Sequence, residues 1–162
     1  MAASVKPVPE GFHTATPSLV VRDAGKAIDF YKKVFGAEER MRMPDPSGKI
    51  IHAEIKIGDS IIFLSDEIPN MGGKSPQTLG AYTGGVYLYV PNVDEIHKRA
   101  VDAGGKSVGP VSDMFWGDRV GHFVDPFGHA WTVSTHVADL TEQEMEKGAQ
   151  AFYEQMAQKK SA

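Results

Sequence analysis

The pattern of strands, helix and turns in this chain restarts after a constant shift of 69 positions, which carries Val21 onto Val90, Asp23 onto Asn92, Gly36 onto Gly105 and Asp59 onto Gly128. Identities between the two copies are few, but the order of elements is shared. A fixed period is the signature of a duplicated supersecondary unit, and here the unit is β-α-β-β-β. In the first copy, TATPSLVV (14–21) reads as a strand and Asp23 as the N-cap of AGKAIDFYKKVFG. Ala27, Ile28, Tyr31, Val34 and Phe35 share one helical face, and Gly36 stops the helix. PDPSGK (44–49) is a turn cluster. In IIHAEIKIGDSIIFLSDE, His52, Glu54 and Lys56 alternate with Ala53, Ile55 and Ile57, and Gly58-Asp59 makes the turn to a strand over Ile61–Leu64. In the second copy, GGVYLYV and VDEIHKRAVDAGG repeat strand and helix. Ser107–Val111 is short and extended, and DPFGH joins strands over Arg119–Val124 and Ala130–Thr135.

This pattern predicts an α+β protein of two tandem βαβββ modules. The expected boundaries are 12–68 for module one, 69–83 for a Gly/Pro/Ser/Asn-rich linker and 84–137 for module two, so that 12–137 is one domain. Residues 138–162 form a C-terminal helix and tail. There, Thr141 and Glu144 have the spacing of a capping box, and Met145, Ala149, Phe152 and Met156 make one apolar stripe. That helix either docks on its own domain or sits at a dimer interface. The arm from Met1 to Gly11 is polar, with two prolines.

Hydrophobic residues make up 41% of the 162, enough for a core. The net charge of -4, with no polybasic run, gives no electrostatic footprint for nucleic acid or an anionic membrane. Without cysteine there is no disulfide, thiolate metal site or Cys nucleophile. No stretch has the apolar length of a signal h-region or a membrane span. A cytoplasmic protein is expected.

The segments AIDFYKKVFGAEE, HAEIKIGDSIIFLSDE, DMFWGDRVGHFVDPFGHAW and TEQEM resemble the vicinal oxygen chelate superfamily, which holds glyoxalase I, fosfomycin- and bleomycin-resistance proteins and extradiol dioxygenases. Within it they look like the PhnB-like branch, and the resemblance spans roughly 12–150. The resemblance implies a fold in which the strands of the two modules curve into a cup with helices outside, and a chain that dimerises. It also implies four positions, on the first and last strand of each module, where catalytic members hold a divalent metal with His, Gln or Glu. Mapped onto this sequence, those positions are Thr16, Phe63, Gly85 and Thr132. Gly offers no side chain, Phe no lone pair, and Thr is a weak ligand, so no metal and no cofactor is expected.

His122, Asp125 and His129 do not substitute for that set. Asp125 opens a turn, where its side chain bonds the backbone ahead, and His122 should diverge from it across the pleat. Trp131 alternates away from Thr132 and should face the helices. By parity with Gly85 and Phe63, the cup should be lined by Tyr87, Tyr89 and Phe63. The repeat places Arg119, Gly121 and Phe123 inward as well. In the loop FWGDR, Phe115 and Trp116 offer stacking area, and Arg119 offers a bidentate clamp for an anion. The same loop could instead be a packed lid paired through Asp118 and Arg119.

The leading functional expectation is a metal-independent protein that holds a small organic ligand, aromatic or anionic, in an aromatic-lined cup and works as a homodimer. Phe63, Tyr87, Tyr89, Phe115, Trp116 and Arg119 would bind the ligand, with His52 and Glu54 as polar anchors. The alternative is a glyoxalase-like isomerase or lyase. It would use a non-standard metal set, or acid-base chemistry by His52 and Glu54, which lie two apart on one strand face. A third reading has no ligand and leaves the tail stripe to bind a partner.

Overall fold

The structure, a computed structural model, describes residues 5–160, with the side chains of 159 and 160 outside the description; the first four residues of the expected arm and the last two of the tail also lie outside it. The observed order is β1 (Ser18–Val21), α1 (Ala24–Phe35), β2 (Glu38–Pro44), β3 (Ile50–Ile57), β4 (Ser60–Asp66), α2 (Pro76–Leu79), β5 (Gly85–Tyr89), α3 (Val93–Asp102), β6 (Lys106–Ser107), β7 (Ser112–Asp113), β8 (Asp118–Val124), β9 (Ala130–His136) and α4 (Glu142–Lys160). Each copy of the repeat makes its own open sheet. The first has the order β1-β4-β3-β2 and the second β5-β9-β8-β6, with β7 also on β8. In both, the first strand runs parallel to the last, and the rest of the sheet is antiparallel.

Local chemistry explains the boundaries. Asp23 accepts from the Lys26 backbone N–H at 3.0 Å and starts α1, and Asn92 does the same for α3 through Glu95 at 3.1 Å. Gly36 closes α1 in the left-handed conformation at φ 67°. The first strand begins at Ser18 rather than Thr14, because Pro17 has no N–H to extend the ladder; its carbonyl still accepts from Phe63 N–H. At the tail, Thr141 N–H donates to Glu144 Oε2 at 2.8 Å while Glu144 N–H reaches Thr141 Oγ1 at 3.3 Å, a complete capping box.

The repeat survives in the strand register. Ser18 lies opposite Phe63 in module one, and Tyr87 lies opposite Thr132 in module two, the same pair moved by the repeat shift. It fails at β8. In module one Glu54 faces Phe63, so the shift puts Phe123 opposite Thr132; His122 is there instead, and Phe123 pairs with Trp131. The cause is the turn. Two residues separate the paired Ile57 and Ser60, whereas five separate Val124 and Ala130. A slip of one residue turns every side chain of a strand to the other face. The inward placement of Arg119, Gly121 and Phe123 is therefore corrected. Phe123 is fully buried, with ring centroids 6.2 Å from Phe35 and 6.3 Å from His97 on the helix side. The residues on the opposite face of β8 are Asp118, Val120, His122 and Val124.

The core lies between the helices and the sheets. α1 belongs to module one in sequence but packs on module two as well: Phe35 and Tyr31 meet Trp131 at 4.7 and 5.1 Å. The turn DPFGH closes this contact. Asp125 Oδ2 accepts from Tyr31 Oη at 2.7 Å and Trp131 Nε1 at 2.8 Å, while its Oδ1 accepts from the backbone of Phe127 and His129. His129 Nε2 lies 3.0 Å from Val20 O on β1, and Gln77 of α2 donates to Pro126 O. The motif is thus a clasp between modules. Burying large side chains such as Trp131 and Tyr31 contributes about 1.5–3 kcal/mol each, and Asp125 satisfies the polar ends that this burial would otherwise strand.

Candidate functional site

Two groups of candidate residues form, one on the helix-free face of each sheet. On module one, β3 presents His52 and Glu54 on the face away from the helices, opposite Phe63 on β4. His52 Nε2 lies 3.5 Å from Glu54 Oε1, and its ring meets Phe63 edge-on at 4.8 Å. Arg40 approaches Glu54 at 3.9 Å. Phe12, from the N-terminal segment, covers Phe63 at 5.9 Å, and the Arg40 guanidinium sits over Phe12 at 5.4 Å. Phe12 and Arg40 were not legible as neighbours of this group, since neither lies within reach of it along the sequence.

On module two, one buried carboxylate organises the face. Asp118 Oδ2 accepts from Tyr89 Oη at 3.0 Å, Trp116 Nε1 at 3.1 Å and Tyr87 Oη at 3.3 Å. Its Oδ1 lies 2.8 Å from His136 Nδ1, and His136 Nε2 lies 3.0 Å from Asp139. Burial opposes ionisation of Asp118, but the His136, Tyr89 and Trp116 donors outweigh it and hold the carboxyl below its ordinary value. The bond to Asp118, with some burial, pushes the Tyr89 hydroxyl up to about 12. Asp139 first and Asp118 second raise His136 and favour its imidazolium. Asp118 is 2% exposed, yet Tyr87 and Tyr89 are 45% and 67% exposed, so the rings stand in front of a shielded charge. Both tyrosines also border a cleft of about 460 Å³ along the free edge of β5, with Ile57–Ser60, Ile96 and Arg99 opposite.

The loop FWGDR divides among three tasks. Trp116 joins the tyrosines. Phe115 packs under α4, with its ring 5.7 Å from Phe152 and its Cβ where a side chain at position 148 would stand, so only Gly148 fits there. Arg119 points to the helix side, where Asp94 takes it bidentately at 2.8 Å and Asp113 at 3.0 Å. The internal Asp118–Arg119 pair does not form, because adjacent strand residues face opposite ways. No hydrogen bond, ion pair or ring contact joins the His52 group to the Tyr87 group among the described residues.

A family model for the Glyoxalase/Bleomycin resistance protein/Dioxygenase superfamily matches residues 12–133. The chain belongs to this superfamily. An uncharacterized protein of Mycobacterium bovis is 42% identical over 149 residues, 90% of this chain and 94% of its own. One from Mycobacterium tuberculosis H37Rv has the same identity over 149 residues, 90% of this chain and 84% of its own. Among solved structures, TioX from Micromonospora sp. ML1 aligns with a TM-score of 0.60 at 27% identity, over 80% of this chain and all of its own. The PhnB protein of Bacillus cereus aligns with a TM-score of 0.60 at 16% identity, over 76% of this chain and 99% of its own. FosX of Listeria monocytogenes, solved with Mn(II) and sulfate, aligns with a TM-score of 0.57 at 18% identity, over 82% and 95%. The last two likenesses concern the fold.

The four positions at which the resemblance leads one to expect a divalent metal, Thr16, Phe63, Gly85 and Thr132, carry neither carboxylate nor imidazole. Phe63 is wedged between His52 and Phe12. A Cβ at Gly85 would lie 2.8 Å from the Ala130 carbonyl oxygen, so the position excludes a ligand side chain sterically as well as by identity. Thr132 Oγ1 is 3.0 Å from His122 Nδ1. No cluster of three or more His, Asp or Glu able to hold an ion occurs among the described residues. Among the same residues, no helix is long and apolar enough to cross a membrane.

Proposed function

We propose that this superfamily member is a metal-independent small-molecule-binding protein whose ligand lies against Tyr87, Tyr89 and Trp116. The observation that carries the reading is the exposure of two tyrosine rings whose hydroxyls are fixed on Asp118. Large aromatic rings held rigid at a surface offer contact area at low entropic cost. Phe63 contributes the corresponding surface on module one. Arg119 is left out of the ligand set, being already paired with Asp94 and Asp113, and Phe115 serves the docking of α4. Residues 12–137 act as one domain through the DPFGH clasp, in a cytoplasmic homodimer. Its interface would cover Met41 and Met43 on β2, or the Tyr153 and Met156 side of α4, which are exposed in the single chain.

Elemental analysis of the untagged protein, with melting in Ni, Zn, Mn, Co and Fe(II), tests metal independence. Stoichiometric metal and a clear stabilisation would overturn it, since a ligand that binds only the native state must raise its melting temperature. Ligand binding is tested by fluorescence. Aromatic probes should quench wild type saturably, and Trp116→Phe should lose the response while the buried Trp131 still emits; an unchanged response removes Trp116 from the site.

One observation favours a second reading. The 3.5 Å approach of His52 to Glu54 beside Phe63 suits acid-base chemistry on a ligand lying over module one. Turnover of a small carbonyl or dicarbonyl substrate that His52→Gln and Glu54→Gln both abolish would establish it.

A further inference from the structure

We propose that the Tyr87–Tyr89–Trp116 face takes a weakly hydrated organic cation, a quaternary or tertiary ammonium group on an apolar body, through its ring faces. The inference rests on the reading that this face binds a ligand, and it names the chemical class.

Three ring systems send their polar hydrogens to one oxygen of one carboxylate. A phenol or indole that donates to an anion gains electron density in its ring, and the face of an electron-rich ring attracts cations. The two tyrosine rings lie 5.3 Å apart at 50° to each other, forming two walls of an open corner. The negative charge sits behind them, 2% exposed, with both oxygens engaged. A compact ion such as ammonium or a divalent metal would have to break those bonds and shed its water to reach the carboxylate. A diffuse cation keeps the rings and their bonds intact and loses little hydration.

An anion fares worse. The donors on this face, Tyr87 Oη, Tyr89 Oη and Trp116 Nε1, are all committed to Asp118. Arg119, the cation nearest in sequence, points to the other side of the sheet and is held by two aspartates. Asp139 adds a second negative charge beyond His136. Even with His136 protonated, the group Asp118–His136–Asp139 carries a net negative charge.

The test uses the full chain and two probes of equal shape, choline and its carbon isostere 3,3-dimethylbutan-1-ol, with benzenesulfonate as a flat anion. The readout is the NMR shift of the Trp116 indole N–H, assigned by its loss in Trp116→Phe. Choline should bind about tenfold more tightly than its isostere, the ratio expected for a cation–π contact of intermediate burial. Asp118→Asn, which keeps an acceptor oxygen but removes the charge, should bring the ratio close to one. If that variant does not fold, Tyr89→Phe keeps the ring, removes its donation to Asp118 and should lower the choline-to-isostere ratio. Equal binding of choline and isostere, or preference for benzenesulfonate, overturns the cation class and leaves the ligand face standing. No shift with any of the three overturns both.

Discussion

Two aspartates seven positions apart, at opposite ends of the same strand and turn, do the same chemistry in opposite settings. Asp125 collects Tyr31 and Trp131; Asp118 collects Tyr87, Tyr89 and Trp116. Both carboxylates are buried, at 4% and 2% exposure. The rings differ. Tyr31 and Trp131 are sealed at 0% and 1%, while the Asp118 tyrosines are about half exposed or more. A carboxylate that satisfies sealed rings stabilises a core; one that fixes exposed rings holds a surface in a set shape. The two groups differ in exposure rather than in residue type.

The largest effect is expected at Asp125. Asp125→Ala strands a buried hydroxyl, an indole N–H and two backbone N–H groups, and should cost about 3–4 kcal/mol in denaturant unfolding. A loss below about 1 kcal/mol would mean that the clasp does not hold the modules. Asp118→Ala should cost less, about 1–2 kcal/mol, because the freed tyrosine hydroxyls and indole N–H can turn to water. Equal losses at the two sites would mean that both carboxylates serve the core alike.

His136 sharpens the Asp118 side through pH. Its folded-state pKa is raised above the ordinary value by Asp139 and Asp118. Its contribution to stability is therefore fully present below the unfolded value, about pH 6.5, and is lost as pH rises through the raised value. The melting-temperature advantage of wild type over His136→Gln should be largest near pH 6 and shrink toward alkaline pH. A gap that widens with pH would reverse the assigned sign. The smallest effect belongs to the tail: Thr141→Ala removes the capping box and should cost about 1 kcal/mol, seen as faster amide exchange in the first turn of α4.

Much of the fold was legible. The repeat, the Asp23 cap, the Gly36 stop and the Thr141–Glu144 box depend on residues a few positions apart, and the structure has them as read. Alternation placed Ala53 and Ile55 in the core and Trp131 with the helices. The site was legible only in part. Tyr87 and Tyr89 were found by parity, and His52 with Glu54 by spacing, but their partners were not. An Asp118–Arg119 pair was one of two readings of the FWGDR loop, and Arg119 pairs with Asp94 and Asp113 instead; Phe12 opens the expected domain, but nothing along the chain sets its ring against Phe63. The missing signal was the turn length. DPFGH is three residues longer between paired positions than Gly58-Asp59, an odd difference, and that alone implies that β8 cannot keep the parity of β3.

Hydrophobic period and capping chemistry act over a few residues, and they suffice to dictate two βαβββ units with capped helices. The tertiary structure decided which face of β8 meets solvent. It therefore also decided that Asp118 gathers the aromatic rings while Arg119 is locked behind them. Register is fixed by the whole hairpin and the core it packs against, and a single residue of slip exchanges the two faces.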